Sequence, residues 1–187
     1  MSIIKIVTDS SAALTDEEIK KYDIGVVPLQ VLINDHNYLD GVDISRNEFF
    51  KKIETARKLP ASSQPAVINF YDTYESILRK NPEAQILSIH LSGGLSGTGQ
   101  TAATVAKDFS GKVIFLDSHS IDRGLSFQVL AAARMAQEGK TIEEIISLLT
   151  KIKKSNQNFS QSRILKKSDC RRQDQSCFWF SCFLAKH

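Results

Sequence analysis

Leu91-Ser92-Gly93-Gly94-Leu95-Ser96-Gly97-Thr98-Gly99 lies between an apolar run, Ile86-Leu87-Ser88-Ile89-His90, and a small-residue stretch, Gln100-Thr101-Ala102-Ala103-Thr104-Val105-Ala106. The apolar run has the length and composition of a buried strand, and the small residues suit a helix. The first N–H groups of a helix lack internal acceptors. The loop is therefore expected to aim free backbone N–H groups and hydroxyls at one anionic oxygen cluster. It contains no lysine, and its glycines do not follow G-x-G-x-x-G, so neither the Walker phosphate loop nor the dinucleotide fingerprint applies. An anion cradle of unspecified partner is what the stretch alone implies.

The elements on either side repeat the strand-loop-helix pattern. Ile3-Ile4-Lys5-Ile6-Val7 reads as a short buried strand running into Thr8-Asp9-Ser10-Ser11. Lys112-Val113-Ile114-Phe115-Leu116 reads as another, running into Asp117-Ser118-His119-Ser120. Thr15-Asp16-Glu17-Glu18, Ser45-Arg46-Asn47-Glu48 and Thr141-Ile142-Glu143-Glu144 have capping-box spacing and predict helix starts. A further helix carries Leu125, Val129, Leu130, Ala133 and Ala136 on one side and stops at Gly139. Gly25-Val26-Val27-Pro28-Leu29-Gln30-Val31-Leu32-Ile33 is β-rich, with Pro28 predicting a sheet edge or bulge. Asn34-Asp35-His36-Asn37 is a turn cluster, after which Tyr38-Leu39-Asp40-Gly41-Val42-Asp43 reads as a returning hairpin arm. Pro65 suits the first turn of a helix whose apolar face is Phe70, Tyr74, Ile77 and Leu78, and Asn81-Pro82 closes it.

Strands alternating with helices predict an α/β fold with a mostly parallel sheet flanked by helices. Ligands bind beyond the carboxyl ends of strands in such sheets, so the three polar strand exits are expected to share one crevice. The bulk numbers fit one buried domain: 187 residues, 42% hydrophobic and 24% charged. A net charge of +3 is too small to imply nucleic acid as a partner. No run is long and apolar enough to span a bilayer and no signal peptide precedes the first strand, which predicts a cytoplasmic protein without stable membrane insertion. The three cysteines all follow Ser168, so a disulfide framework is not expected.

The sequence changes character near Asn156. No Gly, Pro, Val or Thr follows Lys153, and Asn158-Phe159-Ser160-Gln161-Ser162-Arg163 shows neither helical nor strand period. Phe178-Trp179-Phe180-Ser181-Cys182-Phe183-Leu184 is an apolar burst with no partner in view. It is too short to span a membrane as a terminal anchor. Read one base later from Asn156, with permitted codons, the gene can encode β-rich and amphipathic segments with well-placed glycines. The expected organisation is a domain over residues 1–153 and a frame-shifted, non-native tail over 154–187.

Thr8-Asp9-Ser10-Ser11, Val27-Pro28-Leu29, Ser62-Ser63-Gln64-Pro65 and Leu95-Ser96-Gly97-Thr98, in that order, resemble the DegV family of bacterial fatty-acid-binding proteins. The resemblance spans about residues 3 to 153 and implies the N-terminal α/β domain of a two-domain protein, the second α/β domain being absent. It implies a long-chain, palmitate-like fatty acid as ligand, no cofactor, no metal and no catalysis. The carboxylate would be held by Ser62 and Ser96, with Ser63, Ser92, Gly97 and Thr98 in support, and the acyl chain would lie in an apolar tunnel between the two domains. In some members the acid is presented to a fatty-acid kinase, which makes such a kinase a partner. Two departures stand out: Gly93 where the family often has a second serine, and Ala66 where Ser or Thr is frequent. Backbone N–H groups are expected to replace the missing hydroxyl.

Each motif also has a plainer reading. Ser92 to Thr98 can be a tight turn with a helix cap, and Ser62-Ser63-Gln64-Pro65 an N-cap before a proline-initiated helix. Asp9 lacks the D-x-D partner of a phosphoryl-transfer nucleophile, so turn support is expected of it. His90 and His119 read as structural, with no carboxylate spaced to orient either. No catalytic triad or metal site is apparent. The rival functions are an α/β enzyme binding a phosphorylated small molecule at the Gly/Ser loop, and a nonfunctional truncated fragment.

Overall fold

The computed structural model describes residues 3–163, with side chains described through Lys153. Four parallel strands form the main sheet in the order β2-β1-β6-β7. They are β1 (Ile4–Asp9), β2 (Gly25–Val27), β6 (Gln85–His90) and β7 (Val113–Asp117). Alternation along each strand sorts side chains to two faces. Ile4, Ile6, Leu87 and Ile89 pack with Leu125 and Val129 of α5 (Arg123–Gln137) and Ile145 and Leu149 of α6 (Ile142–Arg163). Val7, Val27, Ile86 and Val113 pack with Phe70 and Tyr74 of α3 (Val67–Lys80) and Ala102 and Val105 of α4 (Thr98–Ala106). Burial on both faces accounts for the near-continuous apolar runs in β1 and β6.

A second sheet, antiparallel and ordered β4-β3-β5, was not foreseen as a separate layer. It comprises β3 (Gln30–Ile33), β4 (His36–Leu39) and β5 (Ala61–Ser63). Pro28 is therefore the point at which one β-rich run divides between two sheets: it ends the ladder of β2, and β3 begins two residues later. The hairpin turn is only Asn34-Asp35, both at positive φ (48° and 66°), so the returning arm begins at His36, two residues sooner than expected. The helix α2 (Arg46–Glu54) covers one face, where Val31, Ile33, Ile44 and Phe49 form a small core.

All three capping boxes form: around α1 (Asp16–Tyr22), α2 and α6, a Thr or Ser hydroxyl accepts the N–H of a glutamate whose carboxylate returns the bond. Pro65 does not open α3. Ala66 is the N-cap, without a side-chain bond, so Ser62 and Ser63 cap nothing and belong instead to β5. The backbone of α6 continues through Arg163, past the expected break near Asn156. No glycine or proline interrupts that stretch, and Asn, Ser and Gln are tolerated in helices at modest cost. The apolar burst at Phe178–Leu184 and the three cysteines lie outside the described residues.

Candidate functional site

Strand order reverses between β1 and β6, and the three polar strand exits meet there, as expected for an open α/β sheet. Asp9 Oδ2 accepts Leu91 N–H at 3.1 Å, Ser120 C=O accepts Ser92 N–H at 3.0 Å, and Ser11 C=O accepts Asp122 N–H at 3.0 Å. Gln128 of α5 secures the third exit by donating to Ser118 C=O and Gly124 C=O.

Asp9 is fully buried and serves as turn support. Its Oδ1 accepts from both the N–H and the hydroxyl of Ser11, capping the 3-10 turn Ser10–Ala12. Its Oδ2 also bonds His90 Nδ1 at 2.9 Å, which corrects the expectation that no carboxylate orients this histidine. Sequence spacing gives no hint of the pair, 81 residues apart, because adjacency of β1 and β6 creates it. His90 Nε2 bonds Ser88 Oγ at 2.6 Å, and Ser88 Oγ bonds Tyr74 OH at 2.7 Å. Asp9, His90 and Ser88 imitate a hydrolytic triad, yet all four side chains have zero solvent exposure, so no substrate reaches the serine. Burial pushes the Tyr74 hydroxyl up to about 12, against the bond to Ser88.

The Gly/Ser loop is more closed than its sequence suggests. Ser92 C=O accepts Leu95 N–H and Ser96 N–H, and Ser92 Oγ accepts Gly94 N–H. Ser96 Oγ accepts Thr98 N–H at 3.2 Å and shares a 2.9 Å bond with the buried Thr98 hydroxyl. Gly93 N–H, at the position where the family often has a second serine, is bonded to Asp117 Oδ2 at 3.1 Å. Side chains thus take the N–H groups of Gly93, Gly94 and Thr98, and the Ser92 carbonyl takes those of Leu95 and Ser96.

The structure brings β5 to this loop. A Cβ at Gly97 would collide with Gln64 Oε1, so the carboxamide two residues after Ser62 occupies the space a side chain at 97 would fill. Gly97 itself is the N-cap of α4. Ser62 is exposed, lies opposite Val31 in the β3–β5 ladder, and its hydroxyl has no hydrogen-bond partner among the described residues. Ser63 points to the other face, as strand alternation requires, and donates to Gln30 Oε1 at 3.2 Å. Gln64, two residues after Ser62, thus meets the loop at Gly97, while Ser63 bonds Gln30 on the other face of β5.

A cleft of about 490 Å³ adjoins the Val31 side of this strand pair. Leu14, Ile19, Val26, Pro28, Val31 and Phe49 give it apolar walls, and none of the singled-out serines lines it. Asp40 also lines it; burial raises its carboxyl above the ordinary range, opposed by a bond to Ser10 and the Arg46 guanidinium. Leu95, Val67 and Ile68, at 38%, 54% and 58% exposure, leave apolar surface on the loop and on the first turn of α3. Among the described residues there is no cluster of three or more metal-ligating side chains and no helix long and apolar enough to cross a membrane.

Comparison with known proteins agrees with this architecture. A DegV-domain protein of Streptococcus pneumoniae is 40% identical over 153 residues, covering 82% of this chain and 54% of the relative. The chain thus spans about half the length of the curated relatives it matches. A Thermus thermophilus structure, described as fatty-acid binding by a DegV family protein, superposes with TM-score 0.73 at 33% identity, over 81% of this chain and 53% of that one. A Thermotoga maritima structure, described as revealing a fatty-acid-binding function, superposes with TM-score 0.73 at 29% identity, over 81% and 55%. The family model described as "Uncharacterised protein, DegV family" matches residues 3–160, and this chain belongs to that family.

Proposed function

We propose that the chain is a carrier, not an enzyme, that holds the carboxylate of a long-chain fatty acid between the hydroxyls of Ser62 and Ser96. The observation that carries this reading is the contact of Gln64 with Gly97, which sets the strand of Ser62 against the loop of Ser96. Ser62 offers an unspent hydroxyl, and the half-buried Ser96 exchanges bonds with Thr98 that a ligand can join. Neutral hydroxyls suffice for a carboxylate, which accepts up to about four hydrogen bonds. The fatty-acid binding described for relatives at 33% and 29% identity supports the ligand class. The acyl chain runs from Ser62 past Val31 into the apolar cleft, whose size falls within the range of small-molecule pockets. Each buried methylene contributes about 0.8 kcal/mol, so the chain dominates affinity and the serines fix orientation.

In this reading the protein is cytoplasmic and delivers its acid to a fatty-acid kinase, and residues 154–187 are the product of a shifted frame. Resequencing across the Asn156 codon tests the last point: an uninterrupted frame in independent clones removes it. Native mass spectrometry and organic extraction of the purified protein test the first. A co-purified palmitate- to stearate-sized acid is expected. A nucleotide or sugar phosphate in its place would establish the rival enzyme reading, and an empty protein that also fails to bind added acid would mark an inactive fragment.

A further inference from the structure

The carboxylate of Asp117 is locked beside the Gly/Ser loop. Oδ2 accepts Gly93 N–H at 3.1 Å and Oδ1 accepts His119 N–H at 2.7 Å. The loop around it is a single closed turn, since Ser92 C=O takes the N–H groups of both Leu95 and Ser96. Gly93 and Ser96 are thus held within one turn of each other, so the Asp117 carboxylate is bonded to the same turn that carries the Ser96 hydroxyl. The side chain of Asp117 remains 25% exposed, so this charge is not hidden from a ligand. Gly93 has no positive φ that would demand glycine. What it provides is space: a Cβ there would lie 3.2 Å from Asp117 Oδ2 and would push the carboxylate back. A histidine and a lysine lie nearby. His119 Nδ1 is 3.4 Å from Oδ2, and Lys153 Nζ donates to Asp117 C=O at 2.6 Å from the α6 side, its pKa lowered by burial.

We infer that Asp117 is a specificity-determining residue of this site: its fixed carboxylate beside Gly93 admits a singly charged head group and discriminates against a doubly charged one. The inference rests on the fatty-acid reading above. A second unit of head-group charge within a Debye length of Asp117 weakens binding on the order of fivefold. Asp117→Asn removes the charge and keeps one oxygen, which can accept from Gly93 or from His119 but not from both.

The test measures affinities of the delipidated protein for palmitate, hexadecyl phosphate and hexadecanol by displacement of a fluorescent fatty acid. In Asp117→Asn the affinity of hexadecyl phosphate relative to palmitate is expected to rise about fivefold. Mere distortion of the loop would lower both anions in parallel against the alcohol. An unchanged phosphate-to-palmitate ratio overturns the role of Asp117 while leaving the fatty-acid reading intact. No binding of palmitate by the unsubstituted protein overturns both. Should Asp117→Asn fail to fold, the unsubstituted protein decides the matter: its preference for palmitate over hexadecyl phosphate must shrink as salt rises, and a salt-independent preference overturns the inference.

Discussion

Strand β6 leads from one kind of polar cluster directly into another. Inside the fold, Ser88 and His90 belong to a line running from Asp9 to Tyr74, with every side chain at zero exposure and every member paired. Just past the strand end, Ser92 and Ser96 share a loop with three exposed glycines, Gly93, Gly94 and Gly97, the last of them met by Gln64, two residues after an exposed Ser62 whose hydroxyl is unspent. The inner cluster has the residue types of catalysis and the burial of architecture. The outer one has ordinary hydroxyls with capacity to spare. Residue type does not distinguish the two clusters; burial does. Buried polar groups must be satisfied internally, whereas a binding group has to keep something for its ligand.

This contrast can be broken by substitution. Removing the carboxylate in Asp9→Ala unties Ser11, His90 and Leu91 together and leaves His90 without its Nδ1 partner. A loss of about 3–5 kcal/mol in chemical denaturation is expected. A loss below about 1 kcal/mol would show that the inner line is not architectural. Tyr74 adds a pH signature. Its folded pKa lies near 12, above the ordinary value of 10.0, so the unfolded chain releases this proton first as pH rises. Stability should therefore fall between about pH 10 and pH 12, by roughly 2–3 kcal/mol from this group, and Tyr74→Phe should flatten that part of the profile.

The outer cluster should behave in the opposite way. Ser96→Ala and Ser62→Ala are each expected to weaken palmitate binding by about 1.5–3 kcal/mol, with much less effect on the matching alcohol, in isothermal titration. Loss of the Thr98 N–H bond should cost Ser96→Ala about 1 kcal/mol of stability as well, and Ser62→Ala almost none. Equal weakening of acid and alcohol would remove the carboxylate role. Ser63→Ala is the smallest expected change, under about 0.5 kcal/mol in either measurement, because its exposed bond to Gln30 lies on the far face of β5. A large binding defect there would redraw the site.

What the sequence made legible was local. The apolar cores of β1, β6 and β7 and three capping boxes depend on residues at most a few positions apart, and all form as read. Proline 28 was legible as an interruption but not as a change of sheet, since nothing near it shows that β3 pairs with β4 and β5. Ala61-Ser62-Ser63 has no hydrophobic alternation, and its strand character comes from Gln30, Val31 and Leu32. The bonds from Asp9 to His90 and from Gly93 to Asp117 depend on strand order, which spacing does not encode. The DegV motifs named the serines; the bonds of Ser63 to Gln30 and of Gly93 to Asp117 depend on the fold.

The meeting of Gln64 with Gly97 has a mechanical consequence. Ser62 belongs to the antiparallel sheet and Ser96 to a loop of the parallel one, so a head group held by both is a cross-link between two sheets. Ligand then acts as a removable staple. Filling the site as proposed should slow amide exchange in β3 and β5 and raise the melting temperature in proportion to the logarithm of free acid. Under the proposed function, loading would register as a change in rigidity between the two sheets.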